Sequence, residues 1–166
     1  MNCPNCGAPM RLRDGDEYLR CDYCKTLHVP EKSKDGVGLL GESSDLECPI
    51  CAVALEHAVI DHHRVLYCTR CCGILISMPA FVELMDDLRA QQGGAFENPR
   101  SPNPQELRRR IQCPRCKQRM DTHYYGGPGN VVIDDCPRCE LNWLDNGELM
   151  HIARAPDHSL ENTSSW

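Results

Sequence analysis

The chain is 166 residues long, carries a formal net charge of −6 and is 5% aromatic. An acidic balance excludes a general polyanion binder, and no apolar run is long enough for a signal core or a membrane span, so a cytoplasmic protein is expected. Thirteen cysteines stand against two Phe and two Trp, which ties folding to cysteine chemistry rather than to a large apolar interior.

Residues 1–30 form the first predicted module. Cys3/Cys6 and Cys21/Cys24 are CxxC pairs; between them, Met10 to Arg13 and Glu17 to Arg20 flank the turn signal Asp14-Gly15-Asp16, which predicts a short hairpin with both pairs at its open end. Residues 31–45 are rich in Gly, Ser, Lys, Asp and Glu, with only Val37, Leu39 and Leu40 able to pack, and read as a flexible linker. Residues 46–92 form the second module, with Cys48/Cys51 and Cys68/Cys71. Strands are predicted at Ala52 to Ile60 and Arg64 to Tyr67 around Asp61-His62-His63, and a third at Gly73 to Ile76. Ser77 is an N-cap with Pro79 in the first turn. Phe81, Leu84, Met85 and Leu88 then give a helix one apolar face, ended by Gly93-Gly94. Residues 93–110, with Pro99, Pro102 and Pro104, are a second linker. The third module, 111–155, repeats the second at a period of 65 residues from Cys48 to Cys113. It holds Cys113/Cys116 and Cys136/Cys139, strands at Met120 to Tyr125 and Val131 to Asp134, a further strand, and a helix that Asp145 caps with Glu148 three residues on. Residues 156–166 are a tail.

The six pairs read, two at a time, as CxxC-x14-CxxC, CxxC-x16-CxxC and CxxC-x19-CxxC. Two residues between cysteines let a tight turn aim both sulfurs at one point, and a second turn across a hairpin completes a tetrahedron. Pro4, Pro49, Pro114 and Pro137 follow the first cysteine of four pairs, where a fixed φ suits the corner. The spacing therefore predicts three Zn²⁺ ions with four cysteines each: Cys3, Cys6, Cys21, Cys24; Cys48, Cys51, Cys68, Cys71; and Cys113, Cys116, Cys136, Cys139. A disulfide scaffold would want a secretory signal, whereas Met1-Asn2 runs straight into Cys3, and thioredoxin-like CxxC motifs come singly in a strand–helix context. A structural zinc site contributes on the order of 10–16 kcal/mol of apparent binding free energy, most of it folding energy. Each such site carries −2, which brings the zinc-loaded protein to about −12. The expected fold class is a small metal-stabilised α+β protein of three tandem zinc ribbons, β-hairpins with CxxC knuckles. The second and third are each followed by a helix, and the units are beaded rather than built on one core.

The stretch from Cys113 to Ala153 has CPRC, an apolar hairpin, CPRC, then Trp143-Leu144-Asp145 and Glu148-Leu149. It resembles the transcription-factor-IIB-type zinc ribbon family of bacterial proteins. The second module resembles the same pattern with Leu75-Ile76-Ser77 in place of Trp-Leu-Asp and Ala80 in place of the glutamate, and the first is similar to a generic shorter ribbon. The resemblance implies zinc, the ribbon fold and a connection to transcription.

Other features carry competing readings. Arg108, Arg109, Arg110, Arg115, Lys117 and Arg119 stand near the single acid Glu106. They read either as a solvated face beside an anionic metal site or as a contact for nucleic acid or an acidic partner, with Tyr124 and Tyr125 placed to stack bases. Trp143 is expected in the core, and Cys72 is a bystander next to the ligand Cys71. His28, His57, His62, His63, His123, His151 and His158 form no HExxH or comparable pattern and read as surface residues. A full tetrathiolate leaves no position for water, so no enzyme is expected. The expected function is a non-enzymatic zinc-binding adaptor with a protein partner and no membrane partner, using in part the helix face Phe81 to Leu88. One alternative is nucleic-acid binding through the basic segment. A second is a thiol-redox or zinc-responsive regulator.

Overall fold

The computed structural model describes residues 1–13, 16, 18–33, 36–91, 98, 101–126 and 129–155. Its strands are β1 (Met10–Leu12), β2 (Leu19–Cys21), β3 (Leu27–His28), β4 (Val37–Glu47), β5 (Ala54–Ile60), β6 (His63–Tyr67), β7 (Ile74–Ser77), β8 (Asp121–Tyr124), β9 (Val132–Cys136) and β10 (Leu141–Leu144). Two helices, α1 (Met78–Gln91) and α2 (Glu148–Arg154), follow β7 and β10, and a 3₁₀ turn covers Glu106–Arg108. The result is a small α+β structure with antiparallel sheets and three clusters of four cysteines. The glycines predicted to end α1, and the 156–166 tail, lie outside the described residues, as does most of the first hairpin's turn.

β1, β2 and β3 form a three-stranded sheet, with Met10 opposite Cys21 and Leu12 opposite Leu19. The other strands form one seven-stranded sheet in the order β4-β5-β6-β7-β10-β9-β8. Modules two and three are therefore joined edge to edge, which corrects the expectation of separate beads. The joint is the pairing of β7 with β10, where Trp143 faces Leu75, Leu144 faces Ile74 and Asn142 faces Ile76. These are the equivalent strands of the sequence repeat, so the two modules meet about an approximate two-fold axis through the Leu75–Trp143 pair. The physical reason lies in composition: each β7-type strand is apolar on both faces, with Ile74, Leu75, Ile76, Leu141, Trp143 and Leu144 all buried. A strand buried on both faces cannot remain an edge in water.

The 31–45 linker also needs correction. Residues from Val37 onward form β4, which pairs with β5 through Val37 opposite Ile60 and Leu39 opposite Ala58, with register shifts further along. Gly and Ser content lowers intrinsic strand preference, but a partner strand supplies the backbone hydrogen bonds, and tertiary pairing overrides propensity.

The two faces of the large sheet do different work. One is covered by α1 and α2, whose Phe81, Leu84, Met85, Leu88, Leu149 and Ile152 pack on Val37, Ala58, Ile60, Val65, Ile74, Ile76, Ile133 and Leu144. The helix face read as a docking surface is thus part of the core. On the opposite face, Trp143, Leu55, Leu75, Leu141 and Met120 pack among Cys48, Cys68, Cys113 and Cys136. The first module rests on that same face of β5, where Val59 joins Leu40, Met10, Leu19 and Cys21. The Arg64 guanidinium there donates to the Leu12 carbonyl at 2.9 Å.

Candidate metal centres

Each centre is made by two knuckles. In five of them the amide after the second cysteine donates to the carbonyl of the first: Gly7 to Cys3, Lys25 to Cys21, Ala52 to Cys48, Cys72 to Cys68 and Lys117 to Cys113. That closure needs a left-handed residue, and Gly7, Lys25, Ala52, Cys72, Lys117 and Glu140 all have positive φ. The strain, roughly 1–2 kcal/mol for a residue with a side chain, is carried at five non-glycine positions because hydrogen bonds lock the turns.

The knuckles bring the predicted ligands together in three groups: Cys3, Cys6, Cys21 and Cys24; Cys48, Cys51, Cys68 and Cys71; and Cys113, Cys116, Cys136 and Cys139. Within each group all four sulfurs lie within 4.8 Å of one another. The Sγ–Sγ separations are 3.5 Å for Cys3–Cys24 and Cys6–Cys21, and 3.6 Å for Cys48–Cys71 and Cys116–Cys136. Disulfides need about 2.0 Å. A zinc tetrahedron with bonds of about 2.3 Å sets its sulfurs about 3.8 Å apart, so the groups fit three zinc ions, one per tetrathiolate. Cys72 belongs to none of them and packs against the helix-covered core.

The surroundings pull the sulfurs both ways: burial raises Cys48 even though two backbone amides face it. The amides of Ile50 and Cys51 donate to Cys48 Sγ at 3.4 and 3.3 Å. The Thr26 hydroxyl lies 3.0 Å from Cys24 Sγ and, with the Thr26 amide, brings Cys24 down to about 5. The Gln118 amide lowers Cys116 to about 7, whereas burial pushes Cys136 up to about 12. Each group thus mixes thiols that ionise readily with ones that ionise only when a cation repays the charge, the behaviour expected of coupled ligands.

Trp143 sits fully buried between the second and third centres, as its reading as a core residue expects. A β-carbon built on Gly73 would overlap the Trp143 ring, so the chain passes the indole only because residue 73 has no side chain. The Trp143 Nε1 donates to Asp145 Oδ1 at 3.1 Å. The other Asp145 oxygen accepts from Arg109, whose guanidinium also binds Asp134, itself wholly buried and bonded by the Thr122 hydroxyl. Arg109 therefore differs from the exposed Arg108, Arg110, Arg115, Lys117 and Arg119: its charge is consumed inside the fold. Tyr125 likewise packs edge-on to Phe81 at 5.6 Å between ring centres.

Sequence reasoning missed this network because Arg109 and Asp134 are far apart in the chain. Asp145 also plays another part than the N-cap predicted. Its side chain serves Trp143 and Arg109, left-handed Gly147 starts α2, and Glu148 reaches back to accept the Asp145 amide at 2.6 Å. Half of the capping box is present. Burial raises Glu148 to about 7. Ser77 does cap α1, accepting the Ala80 amide at 3.4 Å. The histidines divide: His63 is 6% exposed and bonded to Asp87, contrary to its reading as a surface residue.

Among the described residues no helix is long and apolar enough to cross a membrane. No curated protein and no solved structure matches the chain. Residues 112–155, holding the third centre, match the family of transcription factor zinc-fingers, the zinc ribbon of the transcription-factor-IIB type.

Proposed function

We propose that the protein is a non-enzymatic adaptor of three zinc ribbons of bacterial type, which rigidifies small surfaces and presents them to a protein partner, in a setting connected to transcription. The observation that carries this reading is the placement of exposed apolar side chains. Tyr23 is 83% exposed, Leu27 56% and Val29 64%, all on the first module. They stand apart from the core formed by the other two modules. Exposed aromatic and aliphatic anchors placed on a knuckle turn, in β3 and on the residue after it suit protein recognition, since ordering them on binding costs little entropy. The tetrathiolate sites are full and anionic, which suits scaffolding rather than Lewis-acid chemistry.

The test is capture from the native cell by the zinc-loaded protein and by a Tyr23→Ala, Leu27→Ser, Val29→Ser variant with unchanged zinc content. A protein retained by the first and lost by the second is expected. Equal capture by both would remove the surface from the account.

Nucleic-acid binding has one observation in its favour: Arg108, Arg110, Arg115, Lys117 and Arg119 are all exposed. It would show as binding that weakens steeply with salt and whose salt slope is flattened by Arg108→Ala with Arg110→Ala and Arg115→Ala. Arg109 is left out of that set because its loss would damage the fold.

A further inference from the structure

The turn between β5 and β6 and the outer part of α1 bring together a fourth group of metal-type ligands, made of imidazole and carboxylate instead of thiolate. His63 opens β6, His62 precedes it in the turn, and Asp87 projects from α1. His63 Nε2 lies 2.8 Å and His62 Nε2 3.3 Å from the same oxygen, Asp87 Oδ2. All three ligand atoms fall within 4.8 Å of one another, and the two rings lie 4.1 Å apart at 36°. Zinc bonds of about 2.0–2.1 Å to nitrogen and oxygen set tetrahedral ligands about 3.3 Å apart, so small side-chain rotations suffice to admit an ion.

The burial pattern shapes what the site would do. His63 is anchored at 6% exposure, while the side chains of His62 and Asp87 are 47% and 41% exposed. The ligand set is thus fixed on the protein side and open toward solvent. A single ion pair between His63 and Asp87 would not need His62. A second imidazole aimed at the same carboxylate oxygen is the arrangement a cation organises.

We propose that His62, His63 and Asp87 form a fourth, open site for a divalent transition-metal ion of the zinc class, with water completing the coordination. Two imidazoles and one carboxylate select such ions over Mg²⁺ or Ca²⁺. With three ligands and a solvent-facing side, the site exchanges its ion far more readily than the closed tetrathiolates. Because Asp87 belongs to α1 and both histidines to the β5–β6 hairpin, a bound ion clamps the helix to the sheet, and the hold on α1 follows the level of free metal. The proposal does not depend on which partner the first module meets.

The experiment starts from protein holding three zinc equivalents in its cysteine sites. Added Zn²⁺ is followed by calorimetric titration and by thermal melting, for the parent chain and for His62→Ala and Asp87→Asn, both at partly exposed positions and both first shown to hold three equivalents. The parent is expected to take one further, weaker equivalent and to melt higher with added Zn²⁺. Each variant is expected to lose the fourth equivalent, together with the shift in melting. No fourth equivalent in the parent, or a fourth equivalent undiminished in either variant, would overturn the site.

Discussion

Three residues outside the ligand sets show how far the metal centres depend on their neighbours. Trp143 is fully buried between two centres, so Trp143→Ala should cost about 3–5 kcal/mol by denaturant unfolding of the zinc-loaded protein. Gly73→Ala should cost about 1–3 kcal/mol through overpacking against the same ring. A Gly73→Ala protein as stable as the parent would mean that the indole is not held where it is described. Ala52 holds a φ of 53° in its knuckle, and Ala52→Gly should therefore stabilise the protein by about 1 kcal/mol with zinc content unchanged. What was legible at this scale was the chemistry carried by short-range spacing: all twelve ligands, and Cys72 as the odd thiol. Of the six left-handed residues after the knuckles only Gly7 is a glycine, so the other five carry no local mark in the sequence. The partners of Arg109 and His63 were not legible, because Asp134, Asp145 and Asp87 reach them through the fold and no local pattern links them.

Within the elements, β9 and the turn that leads into α2 are tied by charge through Arg109. Arg109 is the counter-ion of the buried Asp134, so Arg109→Ala should destabilise the zinc-loaded protein by about 3–5 kcal/mol, most of it the penalty of an unpaired buried carboxylate. Adding Asp134→Asn should recover a measurable part of that loss, and a double-mutant cycle with no coupling would refute the pairing. Glu148 gives a pH signature. Its ordinary value is 4.5 and burial raises it to about 7 in the fold, so the native state keeps a proton that the unfolded chain releases. The resulting stability is complete below 4.5 and is lost as pH rises through about 7. From pH 6 to pH 8 the parent should lose about 1 kcal/mol more than Glu148→Gln, measured as unfolding free energies at fixed free zinc. Helix α1 was readable because its cap at Ser77 and its apolar spacing are both local. β4 was not, since Gly38, Gly41, Ser43 and Ser44 carry little strand preference and only the presence of β5 makes a strand of them.

For the whole molecule, the repeat with its 65-residue period was visible in the sequence, but its consequence was not. Two modules whose third strands are apolar on both faces complete each other's sheet, and this turns two metal-dependent units into one. The second and third centres should therefore be lost together. Cys68→Ser or Cys136→Ser should abolish amide protection across β5–β10, whereas Cys21→Ser should release only β1–β3, as read by hydrogen exchange. The most direct test of the account is the zinc content of the folded chain after dialysis against a weak chelator. Three zinc ions per chain, with loss of the sheet when a strong chelator removes them, is the predicted result. A chain that stays wholly folded with fewer than three, or that keeps its seven-stranded sheet with none, would contradict it.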